Sequence, residues 1–275
     1  MPIFLGALAS VLIGLSDFLG RYGTRRSNAV TATAGALVGG VIVTAGFVLV
    51  VPSAFSPRGA LLGAGSGLVV GLALALMYES MAISSAAIGG PVVALGAALF
   101  PLLWDIVRGN SPSGLVLAGV VLAMASLLLV TYSPALRGTV KRGVQLAVGG
   151  AVLFGIAMTL LGSTSDGSGA WAPFVQRSVA LVVMVSLARI RSLPRFPDRD
   201  LFPVMLASGA FGAGAVVAFA VGTQMGSLAA VAVSASMFPA VSATLSALFD
   251  DDTIRWWQAI GIGGVICGVA LMALG

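Results

Sequence analysis

An all-α integral membrane protein of ten transmembrane helices is the fold class this sequence predicts, and three observations predict it. Of 275 residues, 59% are hydrophobic and only 8% charged, with no histidine and a mean hydropathy of +1.09; a soluble domain carries about 25% charged residues. Long apolar runs recur along the whole chain, separated by short segments that collect most of the Arg, Lys, Asp and Pro. A hydrocarbon core about 30 Å thick takes about 20 helical residues at about 1.5 Å each, which is the length of those runs. No stretch alternates apolar and polar residues as a membrane strand does, so an outer-membrane barrel is not expected.

The first helix is expected over residues 3–20. It has no basic stretch before it and no separate cleavage site, so residues 1–20 read as a retained helix rather than a removed signal peptide. Four more apolar runs follow at 29–51, 60–81, 87–107 and 113–132, then five at 143–163, 171–190, 203–224, 228–249 and 255–274. The longest connection, "RIRSLPRFPDRD" (189–200), is short and broken by prolines, so no amphipathic surface helix is expected there. Cys267, the one cysteine, lies inside the tenth helix as a small packing residue and has no partner for an intramolecular disulfide.

Basic residues in short loops stay on the cytoplasmic side. The connections after helices 1, 5, 7 and 9 hold Arg21, Arg25, Arg26, Arg137, Lys141, Arg142, Arg189, Arg191, Arg195, Arg199 and Arg255, whereas the opposite ones hold Arg58 and Arg108. The odd-numbered loops are therefore expected in the cytoplasm, with both termini outside a bacterial-type inner membrane. The net charge of +5 follows from this topology, and no nucleic-acid partner is needed to explain it.

The two halves resemble each other. A shift of 142 residues places Ser85 on Ser227, Ala87 on Ala229, Ala98 on Ala240, Leu103 on Leu245 and Gly119 on Gly261, and a shift of 141 places "VLIG" (11–14) on "VLFG" (152–155). The shift carries helices 1–5 onto 6–10. Because five is odd, the second unit enters the membrane from the other side, giving two inverted repeats, 1–137 and 138–275. The five-plus-five array, a glycine near the middle of helices 1 and 6, and the step "MAISSAA" (81–87) with its echo "TQMGSLAA" (223–230) resemble the drug/metabolite transporter superfamily, EamA type. Pro91 and Pro239 in the helices that follow these steps, and the polar turn into a Gly-rich last helix, "DDDTIRWWQAIGIGGVICG" (250–268), extend the resemblance over the whole chain. The acidic residue that the family often carries after helix 4 is absent from "VRGNSP" (107–112). The resemblance implies secondary transport of a small metabolite, frequently export, with amino acids as the substrates of one branch.

Enzyme chemistry finds little support in the residues. With no histidine and one cysteine there is no metal-ligand cluster and no base for a serine triad. "GAFGAG" (209–214) lacks the strand before it and the lysine after it that a phosphate loop needs, so no cofactor is expected. Recognition loops for a receptor or assembly subunit are missing, and an internal repeat lets a monomer hold a cavity without the oligomer that a channel commonly needs.

Charges inside the spans mark candidate sites, because each costs several kcal/mol in lipid unless it faces protein, water or another charge. Asp17 with Arg21 and Asp105 with Arg108 can neutralise locally at three- and four-residue spacing. Glu79 and Arg177 have no such partner. In the functional reading Glu79 attracts an ammonium group at the inner mouth and Arg177 a carboxylate, which points to an amino acid; in the other reading Glu79 is a boundary carboxylate and Arg177 snorkels to the surface. Protons are the candidate coupling ion, with Glu79 as their carrier. Tyr78, Trp104, Phe154, Gln176, Gln224, Ser234 and Ser236 are the remaining candidate cavity residues, Tyr78 and Trp104 doubling as interfacial belt residues. Pro91 and Pro239 are candidate hinges, since proline frees a carbonyl one turn back. The expected function is alternating-access transport of amino acids, with other small metabolites, cationic drugs or a non-transporting subunit as alternatives; the partners are the small-molecule substrate and the bilayer.

Overall fold

The computed structural model describes residues 2–50, 54–107, 109, 112–131, 139–164, 169–225, 238–249 and 254–274. All regular structure among them is helical: α1 (Pro2–Arg26), α2 (Ala29–Val50), α3 (Pro57–Ile83), α4 (Ala86–Val107), α5 (Gly114–Thr131), α6 (Thr139–Gly162), α7 (Trp171–Ile190), α8 (Phe202–Met225), α9 (Phe238–Phe249) and α10 (Trp256–Leu274). Five of these, α1, α2, α3, α6 and α7, are long and apolar enough over the described residues to cross a membrane. Large apolar side chains such as Ile42, Leu61, Val121 and Ile190 face outward, the arrangement expected where the surrounding solvent is hydrocarbon.

Local chemistry sets several helix ends. Asn28 caps α2: its Oδ1 accepts from the Thr31 backbone N–H at 2.9 Å, and the Thr31 hydroxyl donates to the Pro194 carbonyl at 2.7 Å, tying the first turn to the α7–α8 connection. Ser56 caps α3, accepting from the Gly59 N–H at 3.2 Å, with Pro57 at the first helical position. The expected end of the first helix needs correction. α1 continues to Arg26, so Arg21 is a helical residue, 1% exposed, whose Nε donates to the Met81 carbonyl of α3 at 2.7 Å. A guanidinium can sit there because a backbone oxygen at the end of α3 receives it.

Small residues let the helices approach, and they do so in matching pairs. Gly67 on α3 and Gly209 on α8, 142 residues apart, each lie beneath a carbonyl of a neighbour, Gln176 on α7 and Ala36 on α2. Gly14 on α1 and Gly155 on α6, 141 apart, each receive a side chain from the neighbouring helix, Val241 of α9 and Phe100 of α4. Ala73 of α3 lies by Gly150 of α6, and Ala215 of α8 packs with Ala9 of α1, again at shifts of 142 and 141. The contacts between halves exchange accordingly: α3 with α6 matches α8 with α1, α3 with α7 matches α8 with α2, and α4 with α6 matches α9 with α1. The pairings α2–α7, α4–α9 and α5–α10 map onto themselves. Register gives the directions. α3 runs antiparallel to α6 (Ser66 by Ala157, Ser80 by Gly143) and α8 antiparallel to α1 (Met205 by Gly23, Gly212 by Ser16). Two inverted five-helix units result.

The main core joins the halves. Val70, Leu74, Tyr78 and Met81 of α3 pack with Leu37 of α2, Ala157 of α6 and Met184 of α7. At the periphery α5 and α10 share a glycine contact, Gly119 against the Gly268 carbonyl and Gly268 against the Gly119 carbonyl.

Candidate functional site

Tyr78 is the centre of the most polar region of the interior. Its ring lies over Gly20 of α1, where a methyl group would strike it, and the residue is 1% exposed. Ser16 of α1 and Ser208 of α8 lie beside it, and the Ser208 hydroxyl donates to the Ser16 carbonyl at 2.8 Å. Two opposite charges bear on Tyr78, Asp17 from α1 and Arg177 from α7. Arg177 lays its stem against Gly40 of α2, where an added Cβ would meet Arg177 Cδ at 3.4 Å, an ordinary van der Waals contact. Five helices, α1, α2, α3, α7 and α8, thus converge on one buried polar group.

Further buried oxygens, spread along three helices, have no hydrogen-bond partners among the described residues: Asp17 Oδ2, the hydroxyls of Ser10 and Thr24 on α1, Thr33 on α2, and Ser242 and Ser246 on α9. Ser242 lies against Gly14, and Phe18 meets Phe249 with ring centroids 5.9 Å apart, so the two serines share the α1–α9 face with Asp17. A buried polar atom without a partner costs about 1–3 kcal/mol. A polar ligand that reaches these oxygens recovers that energy, which is the chemistry of a binding site.

The residues singled out in the sequence fall in several places. Tyr78 is central rather than interfacial. Arg177 is half-buried and turned inward along α2. Gln176 is 3% exposed and points elsewhere, its Nε2 donating to the Ser66 hydroxyl at 2.6 Å while that hydroxyl donates to the Ala157 carbonyl at 2.7 Å; it joins α7, α3 and α6. Glu79 follows Tyr78 on α3, points to another side of the helix and is half-buried. Phe154 packs against the main core, and Trp104 is 43% exposed on α4, outside the convergence of helices. Pro91 and Pro239 are both buried, and Gly90 lies against Pro239, so the two prolines adjoin where α4 crosses α9. Ser234, Ser236 and the Gln224 side chain lie outside the described residues.

Sequence reasoning missed Asp17, Ser16 and Ser208. The four-residue spacing of Asp17 and Arg21 suggested a local structural pair, and Arg21 Nε also donates to the Met81 carbonyl. The signal that could have found Ser208 is the same shift of 142, since it places Ser208 on Ser66.

Comparison with known proteins agrees with this architecture. Residues 141–274 match the EamA-like transporter family. A solved structure titled only "Crystal structure of protein" is similar in fold, with a TM-score of 0.63 at 15% identity over 99% of this chain and 96% of that one. No curated protein matches the chain. The second half of the chain, residues 141–274, is thus similar to the EamA-like transporter family, and the described helices, five of them long and apolar enough to cross a membrane, are those of a multi-pass membrane protein.

Proposed function

We propose that the protein is an alternating-access exporter of small zwitterions, amino acids first among them, across a bacterial-type inner membrane. One observation carries the reading: buried Tyr78 packs over Gly20 of α1, three residues from the buried carboxylate of Asp17, while the guanidinium-bearing Arg177 of α7 is turned inward against Gly40 of α2. A zwitterion presents both complementary charges, and each would be recognised away from water, where a charge pair is strong. In this reading Arg177 holds the substrate carboxylate, Asp17 the ammonium group, and Tyr78 stands between them. Glu79 keeps a role at the inner mouth and remains the proton carrier to test beside Asp17. Phe154, Gln224, Ser234 and Ser236 are retained as lining residues, and Pro91 and Pro239 as hinges of the α3–α4 and α8–α9 hairpins.

The working unit is a monomer of two repeats, 1–137 and 138–275, whose junction lies outside the described residues. Odd-numbered loops lie in the cytoplasm and both termini outside.

The test is counterflow in liposomes loaded with unlabelled amino acids and given labelled ones outside. Label accumulating only in loaded vesicles that contain the protein is the expected result. Folded protein that accumulates no amino acid, but does accumulate a cationic drug or an uncharged metabolite, overturns the assignment.

A further inference from the structure

Two of the polar ties between the halves are the same tie made twice. The Ser66 hydroxyl of α3 donates to the Ala157 carbonyl of α6 at 2.7 Å, and the Ser208 hydroxyl of α8 donates to the Ser16 carbonyl of α1 at 2.8 Å. The serines are 142 residues apart and the carbonyls 141, the shifts that relate the repeats. α3 and α8 run in opposite directions, so the ties approach opposite faces of the membrane. Ser66 lies about 14 Å along α3 from Pro57, and Ser208 about 9 Å along α8 from Phe202.

Their neighbours differ. Gln176 donates to Ser66 at 2.6 Å and is held there by its burial, whereas Ser208 has Tyr78 as its neighbour. α3 also keeps a tie farther along, Ser80 to the Gly143 carbonyl at 2.8 Å, about 21 Å from the first, so releasing Ser66 frees that helix pair at one end only.

We propose that Ser66 and Ser208 are matched latches of two gates, one near each membrane face, and that only the Ser208 latch is read by the substrate, through Tyr78. The latches need no knowledge of the substrate; the second clause rests on the proposed binding site. A substrate that displaces the Tyr78 side chain disturbs the surroundings of the Ser208–Ser16 tie and loosens the α1–α8 pair. The Ser66 latch, held by Gln176, is insensitive to that displacement.

Spin labels on a Cys267→Ala background test this, one pair at Arg58→Cys and Thr164→Cys beside the Ser66 latch, the other at Ser27→Cys and Asp200→Cys beside the Ser208 latch. Ser66→Ala is expected to shift only the first distance distribution to longer and broader values, Ser208→Ala only the second, and Ser66→Thr and Ser208→Thr, which keep the hydroxyl, to restore them. Alanine variants that shift neither pair, or both pairs alike, overturn the latches. Amino acids added to the unsubstituted latches are expected to broaden the second pair alone. If the latch variants behave as expected and amino acids move nothing, the latches stand and the substrate reading falls.

Discussion

At the scale of single residues, the site is defined by what a hydroxyl and two charges do in the same place. Tyr78→Phe removes one oxygen and leaves the ring over Gly20. Counterflow should fall at least about tenfold, because an interaction worth about 1.4 kcal/mol or more is lost at the substrate, while thermal stability drops by only about 1 kcal/mol. Asp17→Asn should abolish counterflow of amino acids, and Glu79→Gln should leave a measurable rate; equal losses in the two variants would return the anionic role to Glu79. Arg177 stood out in the sequence because it is an intramembrane charge with no neighbour of opposite sign on its helix, whereas Tyr78 had no such mark and its burial came from packing. Asp17 was read with Arg21 because a four-residue spacing lets two side chains meet. The burial of both residues, and the Met81 carbonyl that receives Arg21 Nε, could be known only from how α1 packs on α3.

Among the helices, packing is decided by where a side chain is missing. A methyl group at Gly67 would lie 2.5 Å from the Gln176 carbonyl oxygen and 2.8 Å from Val179 Cβ, neither of which can yield. Gly67→Ala should therefore cost about 1–3 kcal/mol by thermal unfolding in detergent. Gly46 has nothing within 4 Å, so Gly46→Ala should be neutral or stabilise by up to about 1 kcal/mol. Pro91→Ala restores a donor to α4 and should leave stability unchanged or higher while slowing counterflow several-fold, if α4 bends there during transport. The repeat was legible because its marker residues do the same work twice: Gly14 and Gly155 each admit a neighbouring helix. Helix number followed from hydropathy for the same reason that it fails at the ends. Lipid demands a minimum apolar length but says nothing of how far a helix extends beyond it, which is why α1 and α3 exceed their expected spans.

For the molecule as a whole, orientation is the quantity to test. With Cys267 replaced by alanine, a cysteine at exposed Ser192 should react with a membrane-impermeant maleimide only in inside-out vesicles, and one at exposed Ala54 only in right-side-out vesicles. The opposite pattern would invert the topology while leaving the fold untouched, because the charge bias acts during insertion and not in packing. The α5–α10 contact has a consequence for synthesis. Gly119 and Gly268 each lie against the other's carbonyl, so a helix from the middle of the chain is completed by α10, which leaves the ribosome long after it. Until then the small-residue face of α5 stands against lipid tails that cannot fit it, and this part of assembly waits on the insertion of α10. A chain cut before Trp256 should thus insert its earlier helices and yet be recognised by membrane quality control as unfinished.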